Sequence, residues 1–253
     1  MKKAIVLSSG GVDSTTCVSI AIDELGKENV TTVSVLYGQR HSKELECAEK
    51  IAEYYGVAHK VIDFTGTGIY DDSNCPLLAH STEEIPEKSY ADQIAENGAG
   101  KVLTYIPYRN GLMLSAVAAL AQSMYPDDDV DIYLGAHADD AAGRAYADCS
   151  EEFTNAIGQA ILIGTYDKVR LVAPLVNWNK SQVVKKGLEL HTPYHLTWSC
   201  YEGGEHQCSR CGTCIDRAEA FRLNGVIDPV PYEGEVDWAG CKKIDYLESE
   251  YLN

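Results

Sequence analysis

Two groups of residues in this chain are spaced for chemistry. Ser8, Ser9, Gly10, Gly11, Val12, Asp13, Ser14, Thr15 and Thr16 bring hydroxyls, paired glycines and one carboxylate together behind the apolar run of residues 4–7. The run reads as a buried strand. Residues 16–26, with Val18, Ile22 and Leu25 on one face, read as a helix that Gly26 stops. Paired glycines let backbone N–H groups approach a ligand without Cβ interference. A helix start adds unpaired donors and about half a positive charge, so the turn suits phosphate oxygens. No Gly-Lys-Ser/Thr follows, which excludes a Walker A loop, and the third glycine of a dinucleotide fingerprint is missing.

The second group is Cys200, Cys208, Cys211 and Cys214, a C-x₇-C-x₂-C-x₂-C pattern. A C-x₂-C turn presents two thiolates to one ion, and four thiolates close a tetrahedral Zn²⁺ site, which is structural rather than catalytic. A redox pair or an iron–sulfur cluster is the competing reading of the same thiols. His206 reads as an exposed loop residue beside them. A helix after Cys214, carrying Ala218 and Phe221, would pin this element to the main body.

Further candidates lie where predicted strands end. His137, Asp139 and Asp140 follow a strand over residues 130–136, in position to hold Mg²⁺, a substrate amine or a phosphate; solvated acids are the alternative. Arg40, after a strand over residues 30–37, and Arg109, at a helix start, could neutralise phosphate or carboxylate, although surface arginines are commoner. Cys149 has no assignable base and reads as a buried structural thiol.

The elements that must position these groups alternate. Strands over residues 30–37 and 59–64 flank a helix over residues 42–55, and this βαβαβ rhythm predicts a parallel sheet covered by helices. Residues 65–106, with scattered Gly and Pro and no sustained period, read as a long irregular connection, either a lid-like insertion or a surface excursion. Residues 111–125 are almost uncharged, which predicts a helix buried on all sides. A helix over residues 151–163 capped by Ser150, a strand over 168–172 and a helix capped by Asn179 with Gln182 complete the series. Residues 1–195 thus form an α/β domain and residues 196–253 a metal-binding element and tail.

Composition narrows the function classes. The chain has 253 residues and 45% hydrophobic composition, enough for one domain with an appendage. Thirty-eight acidic residues against 21 basic ones, a formal charge of −17, favour a small-molecule substrate over a polynucleotide. No apolar stretch reaches the length of a membrane span. Four apolar residues after Lys3 are too few for a signal peptide, so a cytoplasmic protein is expected.

The first group resembles the pyrophosphate loop, S-G-G-x-D-S, of ATP pyrophosphatases that adenylate their substrates. Adding YGQRH at residues 37–41, PYRN at 107–110, GAHADDAAGRAYADC at 135–149, TWSCYEGG at 197–204 and the cysteine cluster, the chain resembles the 7-cyano-7-deazaguanine synthase family from residue 4 to about 230. The resemblance implies a Rossmann-like adenine-nucleotide α-hydrolase fold with a zinc-bearing C-terminal element, commonly homodimeric. It implies a ligase that uses ATP with Mg²⁺ to join 7-carboxy-7-deazaguanine and ammonia, without nucleic acid or membrane, and one structural Zn²⁺ per chain on the four cysteines. It places ATP on Ser8, Ser9, Gly10, Gly11, Val12, Asp13, Ser14, Thr15, Thr16, Cys17 and Val18. Asp13, Ser14 and Arg109 become catalytic, and Arg40, His137, Asp139, Asp140, Tyr146 and Asp148 lie near the substrate. Many members carry S-G-Y-P-D-C-R in the 143–150 region; here that proline and the final arginine are missing.

Overall fold

Residues 4–7 are apolar at every position, the pattern of a parallel strand covered on both faces. In the computed structural model, which describes residues 2–98 and 100–250, β1 (Lys2–Leu7) is the central strand of five. The others are β2 (Val30–Leu36), β3 (Ala58–Asp63), β4 (Asp129–Tyr133) and β5 (Val169–Val172), in the order β3-β2-β1-β4-β5. All four pairings are parallel. Ala4 and Val6 pack on α1 (Val12–Leu25) and α7 (Lys180–Glu189). Ile5 and Leu7 turn the other way, onto α4 (Arg109–Met124) and α6 (Glu151–Gly164). Burial of a side chain the size of Ile5 or Val6 contributes roughly 1.5–3 kcal/mol. Because the strand order reverses beside β1, a crevice opens at the carboxyl ends of β1 and β4.

Local signals set several helix ends, and those at Ser150 and Asn179 act as the sequence predicts. Gly56 closes α2 (Lys43–Tyr55) in the left-handed region at φ 67°. The Ser150 hydroxyl accepts from Phe153 N at the start of α6, and Asn179 with Gln182 forms a full capping box on α7.

Three expectations change. The first helix begins at Val12 rather than Thr16, because the Thr15 and Thr16 hydroxyls donate to the carbonyls of Gly11 and Val12 and so fit inside a helix. α4 is buried along Asn110, Leu114, Val117 and Ala121 but exposes Ser115, Ala119 and Ser123. Small residues lower the polarity of an exposed face without requiring its burial. Residues 65–106 hold a helix, α3 (Tyr90–Asn97), whose Ser89 cap accepts from Asp92 N. The rest of that stretch is largely irregular but packed, with Leu78 and Ile106 fully covered against the cysteine cluster.

The C-terminal part is tied in by α8 (Gly212–Leu223). Phe221 enters the core of α1 and α7, and Arg217, fully buried, grips Asp228 through Nε at 2.6 Å and Nη2 at 2.9 Å. The same guanidinium donates to Ser199 Oγ at 3.1 Å. Removing one partner strands a buried charge, so Arg217→Ala should cost ~3–5 kcal/mol in urea unfolding, while replacing both Arg217 and Asp228 by apolar residues should restore much of it. An unchanged midpoint for the single variant would contradict the assignment.

Candidate functional site

Gly10, at φ +81°, sits where a Cβ would come within 2.2 Å of the Glu44 carbonyl oxygen on α2. Only glycine lets the turn press this closely onto α2. Ser9 N donates to Ser14 Oγ at 3.1 Å, Gly11 N to Ser9 Oγ at 3.3 Å, and Trp198 N to the Gly10 carbonyl at 2.9 Å. The turn is thus held by its own hydroxyls and by the C-terminal segment, with Ser8, Ser9, Gly11, Val12, Asp13 and Ser14 lining a cavity of ≈ 220 Å³ at the carboxyl ends of β1 and β4. At Gly135, just past β4, a Cβ would lie 3.0 Å from Ser14 N, so a small residue is needed there for the strand end and helix start to meet.

Asp13 receives the Lys180 ammonium on both carboxylate oxygens, with Oδ1 at 2.7 Å. His137 Nε2 lies 3.3 Å from Asp140 Oδ2 and 3.7 Å from Asp13 Oδ1. Burial alone would push the Asp13 carboxyl up; the Lys180 and His137 charges outweigh it and hold it below its ordinary value. Burial dominates at Asp140 and pushes it up, and at Asp216, reaching in from α8, it does so to about 6. One end of the cavity therefore gathers three carboxylates around one ammonium and one imidazole. Hard carboxylate oxygens of this kind suit Mg²⁺.

Aromatic side chains and a second cation, Arg109, also line the cavity. Arg109 Nη1 donates to Tyr37 OH at 3.3 Å and the guanidinium lies over the Tyr37 ring, 5.7 Å from its centroid. Tyr90 and Tyr201 share a 2.6 Å hydroxyl contact there, and Trp198 and Glu44 face the same space.

Other residues expected at the site lie outside the cavity. Thr15, Thr16, Cys17 and Val18 are buried in the helix core, with Thr16 Oγ1 against Tyr194 OH at 2.9 Å. Arg40 instead holds the 65–106 stretch, donating to the Glu83 carbonyl at 3.2 Å. Asp139 accepts from Lys180 N at 2.7 Å and Asp148 from Asn110 N at 2.9 Å, each fixing a helix start. Tyr146 is buried against Tyr90 and Thr104, behind the lining. Cys149 accepts from Asn110 Nδ2 at 3.3 Å and burial pushes its thiol well up, as expected of a structural cysteine. Sequence reasoning missed Lys180, Glu44 and Asp216. Lys180 had a usable signal, since a lysine in the first turn of a helix opposes the dipole and needs a carboxylate partner; the other two had none.

Sγ atoms of Cys200, Cys208, Cys211 and Cys214 all lie within 4.8 Å of one another, buried, with Cys208 to Cys214 at 3.9 Å. A tetrahedron with arms near 2.3 Å has edges of about 3.8 Å, so the four sulfurs fit a single ion. Cys208 N donates to Cys200 Sγ at 3.4 Å, and Arg210 N and Cys211 N donate to Cys208 Sγ at 3.4 and 3.3 Å. Such donors favour thiolates. His206 is exposed. α8 starts within the cluster rather than after Cys214, with Cys211 at its N-cap and Cys214 in its first turn, so the same element that would hold the ion delivers Thr213 and Asp216 to the cavity.

Residues 3–225 match the family model described as "Queuosine biosynthesis protein QueC". A 7-cyano-7-deazaguanine synthase of Caldicellulosiruptor saccharolyticus is 42% identical over 93% of this chain and 98% of its own length. That of Archaeoglobus fulgidus is 37% identical over 96% and 94%. Among solved structures, the U34-tRNA thiolase NcsA from Methanococcus maripaludis reaches a TM-score of 0.44 at 20% identity over 87% of this chain and 63% of that one, too low to bear on function.

Proposed function

The chain belongs to the QueC family of queuosine biosynthesis proteins, and on that membership we propose that it makes 7-cyano-7-deazaguanine from 7-carboxy-7-deazaguanine, ammonia and ATP. The observation that carries the reading is the cavity itself: a lysine-free glycine turn lines it together with Lys180 and His137, and aromatic rings with Arg109 complete the lining. A carboxylate is a poor electrophile. Transfer of AMP from ATP to the acid releases pyrophosphate and creates a good leaving group. Ammonia then displaces AMP to give the amide, and its extra proton leaves to solvent. A second ATP adenylates the amide oxygen, and loss of AMP and a proton leaves the nitrile. No protein nucleophile is required, which agrees with the inert setting of Cys149.

In this scheme the backbone N–H groups in the first turn of α1, those of Val12, Asp13 and Ser14, and the Ser9 and Ser14 hydroxyls bind the departing pyrophosphate. Lys180, oriented by Asp13, adds positive charge to the same oxygens, and Arg109 offsets the substrate carboxylate. Asp13 and Asp140 would hold Mg²⁺, which supplies further charge neutralisation when bound. The four cysteines hold zinc in a structural role. A homodimer and a cytoplasmic location belong to the same proposal and rest on the family resemblance; light scattering checks the first. The low basic content disfavours a tRNA substrate.

Incubating the protein with ATP, Mg²⁺, ammonia and 7-carboxy-7-deazaguanine, followed by mass spectrometry, should yield AMP, pyrophosphate and the nitrile. Absence of both AMP and nitrile would overturn the proposal.

A further inference from the structure

The cavity is lined by four carboxylates, and their surroundings differ. Asp13, Asp140 and Asp216 crowd the end with Lys180 and His137. Glu44 stands apart, in the first turn of α2, on the wall with Tyr37, Trp198 and Arg109. Among the described residues, none donates a hydrogen bond to its carboxylate, and the charge that acts on it is the Arg109 guanidinium. An acceptor facing a walled cavity without a donor is costly unless a ligand supplies one.

Resting on the reading that this cavity takes the deazaguanine acid, the geometry points to Glu44 as the residue that recognises the ring, by accepting from its N1–H and 2-amino group together. Two side-by-side N–H donors match the two oxygens of an ionised carboxylate, a bidentate charge-assisted pair. An adenine edge offers one donor beside an acceptor lone pair, so the base of ATP leaves one carboxylate oxygen facing a like partner. Glu44 thus separates the two purine-like ligands that must share one cavity. Tyr37 and Trp198 line the same cavity, and Arg109 supplies the cation for the ring's 7-carboxylate.

The placement is rigid. The Glu44 carbonyl packs directly against Gly10 of the phosphate turn, so the distance from the adenylating end to the ring-reading group is set by two elements in contact. Burial pushes the Glu44 carboxyl up to about 7 against the pull of Arg109. Two ligand donors would favour its charged form.

The test compares the whole protein with Glu44→Gln on two acids, 7-carboxy-7-deazaguanine and its analogue lacking the 2-amino group. Wild type should prefer the 2-amino acid by ~10²-fold or more in kcat/KM, since a site built around a donor rejects the ligand lacking it. Glu44→Gln should lose about 10²-fold on the 2-amino acid, chiefly through KM, and its preference should shrink to roughly 10-fold or less. KM for ATP and metal content should stay as in wild type. A preference left intact in Glu44→Gln, or a loss confined to KM for ATP, would overturn the inference. Should the variant fail to fold, the wild-type preference still decides: indifference to the 2-amino group overturns it. If wild type makes neither AMP nor nitrile from the 2-amino acid, the proposed function itself has failed; turnover with no dependence on Glu44 condemns this inference alone.

Discussion

Asp13→Ala is expected to lower AMP and nitrile formation by roughly 10³-fold or more while leaving one metal ion per chain. Asp13 sits at the first turn of α1, in the turn proposed to hold pyrophosphate, and its carboxylate receives the Lys180 ammonium on both oxygens. Removing it frees Lys180 to swing away from the phosphate end and deletes a carboxylate suited to Mg²⁺. The stranded ammonium, only 13% exposed, should also cost stability, about 1–3 kcal/mol. Asp13→Asn, which keeps the shape but removes the charge, should be nearly as inactive, because a neutral amide cannot pair with the ammonium. Lys180→Met should lose less than the aspartate variant, and the double variant should cost less than the two losses combined, since the residues act as a unit. Turnover retained in Asp13→Ala with metal in place would refute the role.

The other large effect concerns the cysteines. Purified protein should contain one zinc per chain by elemental analysis and show no visible absorption; an iron–sulfur band would overturn the zinc assignment. Cys211→Ser, or prolonged treatment with a strong chelator at mildly acidic pH, should release the ion and unfold the C-terminal element. Binding energies of ~10–16 kcal/mol in small zinc domains are folding energies, because no site exists before the chain wraps the ion. Trp198, Ser199 and Tyr201, which line the cavity, flank Cys200, so activity should fall together with metal content. Trp198 N also holds the Gly10 carbonyl, a direct link from the cysteine element to the phosphate turn. Restored zinc without restored activity would separate the two roles.

Several features of this protein were decided locally. The strand–glycine–helix signature of residues 4–25, the capping box at Asn179 and the cysteine spacing each depend on neighbours a few residues away, and each is legible in the chain because its physics acts at that range. The parallel α/β architecture follows from the same alternation. Other features needed the chain to be folded. Arg40, Asp139 and Asp148 carry the right chemistry near strand ends, yet their side chains were consumed by backbone partners at Glu83, Lys180 and Asn110. Nothing within a few residues of Arg40 reports a carbonyl 43 positions away.

Lys180 and Glu44 show the converse. Each sits in the first turn of a helix far along the chain from residues 8–16, and becomes part of the cavity because the sheet order brings α2 and α7 to either side of α1. Residues 65–106 lacked a period and read as irregular, but Cys75, Leu77, Leu78 and Ile85 are buried with the cysteine cluster more than a hundred residues on. The glycine turn after β1 and the spacing of the four cysteines were legible in the chain alone, since both are short-range patterns. Which charges face each other across the cavity was decided only by the tertiary structure, because electrostatic partners are chosen by distance in space.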